Sequence, residues 1–144
     1  MRHFLEKTPR PKSMTVLVQK EVAERMAAKP GSMSVLAVAT QLYAIPTIVR
    51  LVPPESFYPA PKVDSAIIHL EMRETALSKD PEALMRLVNI GFASRRKQLH
   101  NNISSGLHIE SAAAKEALEK AKLSPSARPQ ELSIEQWEEL RSVL

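Results

Sequence analysis

The sequence predicts an α/β segment over residues 1–75 followed by an all-helical segment over residues 76–144. Short β-branched apolar runs occur only before Arg73, at Met14 to Val18, Thr47 to Val52 and Ser65 to Met72. Beyond Arg73 the apolar residues recur at helical spacing. Between the second and third runs, Pro53, Pro54, Pro59 and Pro61 impose a bend, so those two strands can pair antiparallel.

Each element has a local reason. Met14-Thr15-Val16-Leu17-Val18 follows Pro9 and Pro11 and reads as a strand buried on both faces. Val22 and Met26 then show helical spacing, ended by Lys29-Pro30-Gly31. Val35, Leu36, Val38, Ala39 and Leu42 fit a helix by spacing although two of them are β-branched. Asp80-Pro81-Glu82 starts a helix, with a capping acid and a proline where a missing N–H costs nothing. Leu84, Leu87, Val88 and Gly91 share one face of it, and the glycine lets another element approach closely. A second helix is expected from about Ser94 to Gly106 with Leu99 and Ile103 inward, and a third from Ser111 to Lys122. The last helix has a capping box at Ser133 and Gln136, a hydrophobic staple at Leu132 and Trp137, and a buried stripe of Trp137, Leu140 and Leu144. Three strands are few for a self-sufficient sheet, so the first segment reads as the end of an α/β domain.

Composition excludes several classes. Apolar residues make up 44% of the 144, enough for a packed core. No run of about eighteen apolar residues exists, and the charged start Met1-Arg2-His3-Phe4-Leu5-Glu6-Lys7 is unlike a signal peptide. The absence of cysteine rules out disulfides and thiolate metal sites and fits a reducing cytoplasm, so a cytoplasmic location is expected. His3, His69, His100 and His108 are scattered and lack partners at ligand spacing, so no metal is expected. Only Gly31, Gly91 and Gly106 are present, which leaves no glycine-rich loop to cradle a nucleotide cofactor. Asp64-Ser65 reads as a turn carboxylate opening a strand.

Two features could serve a nucleic acid. The net charge is only +4, but from Ala83 to Ile109 no acidic residue occurs while Arg86, Arg95, Arg96 and Lys97 are all basic. Such a window makes a local positive field or, equally, a solvated helix face. Phe57 and Tyr58 sit beside Pro59 and Pro61, which stiffen the loop that carries them. Aromatics on a rigid loop can stack a base drawn out of its helix, although a ring packed into the core is the commoner use.

Taken in order, four segments carry a family resemblance. Phe57-Tyr58-Pro59-Ala60-Pro61-Lys62-Val63-Asp64-Ser65-Ala66 resembles the late motif of the ribosomal RNA adenine N6,N6-dimethyltransferases. Gln19-Lys20-Glu21-Val22-Ala23-Glu24-Arg25-Met26 with Pro30-Gly31 is similar to that family's segment after its fifth strand. Phe92-Ala93-Ser94-Arg95-Arg96-Lys97-Gln98-Leu99-His100-Asn101-Asn102 resembles its basic helical-domain motif, and Arg128-Pro129-Gln130-Glu131-Leu132-Ser133 the start of its last helix.

The resemblance implies the C-terminal strands and helices of a Rossmann-like methyltransferase domain, then a small helical domain. It implies S-adenosylmethionine as donor and two adjacent adenines near the 3′ end of small-subunit ribosomal RNA as substrate. Phe57 would stack the target adenine, and Tyr58, Lys62, Arg95, Arg96 and Lys97 would contact RNA. The family's donor loop and Asn-Leu-Pro-Tyr-type catalytic motif match nothing in this sequence, and Arg2 to Glu6 resemble the helix that follows that motif. The chain alone is therefore expected to bind no S-adenosylmethionine and to be inactive. Its expected partners are small-subunit ribosomal RNA and the ribosomal subunit, with self-association through exposed strand edges and no membrane. The alternative is a stand-alone ribosomal RNA-binding or ribosome-assembly module without catalysis.

Overall fold

A computed structural model describes residues 9–144; the expected helix at Arg2 to Glu6 lies outside them. Strand β1 (Ser13–Gln19) runs into helix α1 (Lys20–Met26), followed by α2 (Val35–Gln41) and β2 (Ala44–Val52). A 3-10 turn (Pro54–Ser56) leads toward β3 (Ser65–Met72). Four helices complete the chain: α3 (Pro81–Gly91), α4 (Leu99–Leu107), α5 (Ser111–Lys120) and α6 (Ile134–Val143). The mixed α/β architecture and the helical character beyond Arg73 follow the sequence expectation.

The three strands form an antiparallel sheet in the order β1-β3-β2. Val16, Ile68 and Ile48 stand in register across it, and Ala66, Ile68 and Leu70 of the central strand are fully buried. Helices α1 and α2 cover this side through Ala23, Met26, Ala37 and Val38, all solvent-free. Beyond Ile48 the pairing slips by one residue, and this irregularity bends β2 just before the proline-rich loop.

Burial of β1 on both faces is not what the structure has. Among the described residues β1 pairs only with β3, and along it exposed and half-buried residues alternate. Met14, Val16 and Val18 pack on the core, whereas Leu17 is 51% exposed. An apolar run satisfies a one-sided strand as well as a two-sided one, so composition could not tell them apart.

The helical part packs on the same core. Asp80 caps α3 by accepting the Ala83 N–H at 2.9 Å, and Leu84, Leu87, Val88 and Gly91 are buried as their spacing requires. Gly91 sits under the Trp137 ring, where a Cβ would collide with it. Ser133 and Gln136 form the expected capping box, and Leu132 and Trp137 are both buried. Leu144 departs from the expected stripe at 45% exposure, because α6 ends at Val143 and the last residue has no turn to hold it inward. The Gln130 carbonyl accepts N–H bonds from Gly31 at 2.8 Å and Met33 at 3.1 Å, tying the start of the last helical unit to the α1–α2 loop.

One polar cluster locks α6 to the segment before α3. Glu138 accepts from the Ser78 hydroxyl at 2.7 Å, from the Lys79 N–H at 3.3 Å, and from Arg141 Nε at 3.0 Å and its terminal nitrogen at 2.8 Å. The Arg141 guanidinium, helped by Ser78 and Lys79, pulls the Glu138 carboxyl down to about 2 from 4.5. Its contribution to stability is therefore complete above pH 4.5 and is lost as the pH falls from there toward 2. Glu138→Gln is expected to cost about 1–2 kcal/mol at neutral pH after allowance for solvent screening. In urea titrations that difference between the two proteins should shrink below pH 4; a pH-independent gap would contradict it.

Candidate RNA-binding and active-site face

The loop from Pro53 to Asp64 is pinned at both ends. At its start the Ser56 and Phe57 N–H groups donate to the Pro53 and Pro54 carbonyls, each at 3.1 Å. At its end the Asp64 carbonyl accepts the Lys20 N–H at 2.9 Å, which joins the loop to the first turn of α1. The Tyr58–Pro59 peptide is cis. Phe57 is half-buried, while Tyr58 is fully exposed and Lys62 and Asp64 are exposed. A shallow cleft of about 380 Å³ lies where this loop meets α1, lined by Gln19, Lys20, Glu24, Pro54, Lys62 and Asp64. Sequence reasoning missed this cleft; the signal for it was the Gln19-Lys20-Glu21 segment, whose place beside the loop depends on strand order.

Arg95, Arg96 and Lys97 lie on a turn, not in the helix expected to begin near Ser94. The Lys97 N–H closes that turn onto the Ser94 carbonyl at 3.2 Å. Buried Asn102 holds it from below, its side-chain amide donating to the carbonyls of Gly91 at 2.6 Å and Ser94 at 2.9 Å. The helix starts only at Leu99, whose N–H is taken by the Ala127 carbonyl at 2.8 Å. Tertiary bonds thus claim the backbone groups that a longer helix would have used.

All three cations are exposed, and among the described residues none pairs with a carboxylate. Arg86 differs: it lies 3.8 Å from Glu82, one turn back, so its charge is partly answered locally. The positive field of the acid-free window therefore concentrates on the α3–α4 turn. A second cleft, of about 560 Å³, opens beside Lys97 between α3 and α4. It shares no lining residue with the cleft beside Lys62, so the expected site residues fall into two separate groups.

The three glycines are occupied structurally. Gly31 takes a positive φ of 103° and donates its N–H to Gln130. Gly91 and Gly106 let Trp137 and Ile90 approach helix backbones. None is left to bring successive N–H groups against a nucleotide phosphate. The described residues also contain no cluster of three or more His, Asp or Glu side chains able to hold a metal ion. No described helix is long and apolar enough to cross a membrane.

Comparison with known proteins decides the family. The family model described as ribosomal RNA adenine dimethylase matches residues 1–144. The chain belongs to that family. Ribosomal RNA small subunit methyltransferase A of Dehalococcoides mccartyi (strain CBDB1) is 38% identical over 142 residues, covering 97% of this chain and 49% of that protein. The protein of the same name from Nostoc punctiforme is 41% identical over 128 residues, 87% of this chain and 44% of its own length. This dimethylase-family chain thus spans about half the length of the curated relatives it matches. Its fold is similar to that of a dimethyladenosine transferase from Plasmodium falciparum, with a TM-score of 0.79 at 24% identity over 96% of this chain and 58% of that one. It also superposes on the 23S rRNA methyltransferase ErmE with a TM-score of 0.69 at 26% identity, covering 96% of this chain and 57% of the other.

Proposed function

We propose that this chain is the C-terminal, substrate-side portion of a ribosomal RNA adenine N6,N6-dimethyltransferase. In this reading residues 1–75 complete a Rossmann-like methyltransferase domain and residues 76–144 form a helical ribosomal RNA-binding domain. The intact enzyme would dimethylate two adjacent adenines near the 3′ end of small-subunit RNA. S-adenosylmethionine, the methyl source in that enzyme, would be held by residues outside this chain, and the chain alone would be inactive.

The observation that carries the reading is the pinned loop with a half-buried Phe57 beside a fully exposed Tyr58. A ring anchored on one side and open on the other can hold an extruded adenine by stacking. Lys62 adds a cation for the flanking phosphate, and Arg95, Arg96 and Lys97 grip the RNA backbone at a distance from the reacting base. Tyr58 makes no core contact, so Tyr58→Ala should leave the melting temperature unchanged. It should weaken binding of a single-stranded small-subunit RNA segment by about fivefold, one lost base–aromatic stack. Unchanged affinity would remove Tyr58 from the RNA face.

A second reading, a stand-alone ribosomal RNA-binding or assembly module, is favoured by the single apolar core that joins Ala23 and Ile68 to Leu84 and Trp137. Either way the isolated chain has a surface for self-association. Leu17, Ile45, Val49 and Leu51 are 51%, 46%, 61% and 50% exposed, and among the described residues β1 is paired on one side only. Sedimentation equilibrium should show a mass rising with concentration; a constant monomer mass would refute self-association.

A further inference from the structure

The cleft between α3 and α4 is lined by amide and hydroxyl side chains and one cation. It is an open cleft of about 560 Å³. Ile90 supplies an apolar wall, and Asn89, Ser94, Asn101 and Ser105 supply polar groups, with Lys97 among the lining residues. No carboxylate lines it.

Most of these polar groups are unspent. The Asn89 amide nitrogen donates to the Met85 carbonyl at 2.8 Å, which leaves its oxygen as an acceptor. Asn101 and Ser105 are exposed on the helix surface, and their side chains have no hydrogen-bond partner among the described residues. Asn102 is different: both its donor bonds hold the Gly91 and Ser94 carbonyls, so it stiffens the cleft. Gly106 sets how closely the two helices approach, since a Cβ there would collide with Ile90. The walls are therefore fixed while the lining amides and hydroxyls are free to bond.

We propose that this cleft takes one unpaired nucleotide of the bound ribosomal RNA, with its base edge on Asn101 and Asn89 and its phosphate on Lys97. A side-chain amide offers a donor and an acceptor together, the pair that an adenine edge requires, and unpaired RNA bases present their edges to such groups. An acidic peptide would use the cation but leave the amides idle. Arg95 and Arg96 continue the charge of Lys97 along the turn, so the strand entering the cleft meets cations next to it. This site is separate from the Phe57 loop and holds a second nucleotide. The inference rests on the reading that the chain binds ribosomal RNA.

The test uses the 144-residue chain, a single-stranded ribopentamer of adenosines, and the same pentamer with every base removed. Side-chain amide resonances of Asn89 and Asn101 should shift with the intact pentamer and much less with the abasic one. The double variant Asn89→Ala/Asn101→Ala places alanine at two exposed helix positions, so folding is not threatened. It should bind the intact pentamer about tenfold more weakly, with the salt dependence unchanged because no phosphate contact is lost. Equal binding of both pentamers, or equal affinity of the double variant, would overturn the cleft proposal while leaving RNA binding intact. Absence of any salt-dependent RNA binding would instead defeat the RNA-binding reading, and this proposal with it.

Discussion

Replacing Arg95, Arg96 and Lys97 together by alanine is expected to weaken binding to small-subunit ribosomal RNA by about a hundredfold at moderate salt. Each exposed cation without a carboxylate partner is free to meet a phosphate, and three lost charge-assisted contacts at about 1 kcal/mol each account for that factor. A second signature is more specific. The slope of log affinity against log salt should become shallower by about 2–3, one increment per lost phosphate contact. Arg86→Ala should change the slope less than any of the three, because Glu82 at 3.8 Å answers part of that charge. If the triple variant kept the parent slope, the α3–α4 turn would be a solvated surface and not an RNA contact. Thermal stability should be unaffected, since the turn is held by Asn102 and by backbone bonds and not by these side chains.

Phe57→Ala in the intact enzyme is expected to lower the methylation rate by about 5- to 150-fold, from the loss of roughly 1–3 kcal/mol of base stacking. Because Phe57 is half-buried, packing and stacking must be separated. Phe57→Leu keeps most of the apolar volume and loses the flat face, whereas Phe57→Tyr keeps both. A base-holding Phe57 predicts that the leucine variant melts near the parent temperature but stays slow, and that the tyrosine variant recovers most of the rate. Recovery by leucine would assign Phe57 to loop packing alone.

Local signals in the sequence were legible where neighbouring residues complete them. Asp80 with Pro81, Ser133 with Gln136, and the spacing of Leu84, Leu87, Val88 and Gly91 are fixed within a few residues, and the structure has each as expected. Strand β3 covers the expected residues, and β2 begins three residues earlier than expected, at Ala44 in place of Thr47. Distant partners account for the errors. The helix at Ser94 starts five residues late because Asn102 and Ala127 take the backbone groups of the turn. The exposed side of β1 depends on which elements pack on the sheet, a fact absent from Met14 to Val18 themselves. Of the site residues, the basic cluster and the aromatic pair were visible as residue types. The two clefts beside them were not, since one requires α1 to meet the β2–β3 loop and the other requires Gly106 to meet Ile90.

The division of labour between substrate side and donor side can be measured in one calorimetric series on the folded 144-residue chain. The chain is titrated with S-adenosylmethionine and then, in the same cell, with a small-subunit ribosomal RNA fragment containing the adjacent adenines. The expected result is no saturable heat from the donor and salt-dependent, saturable binding of the RNA. Stoichiometric binding of S-adenosylmethionine, or an RNA affinity indifferent to salt, would contradict the assignment of this chain to the substrate side.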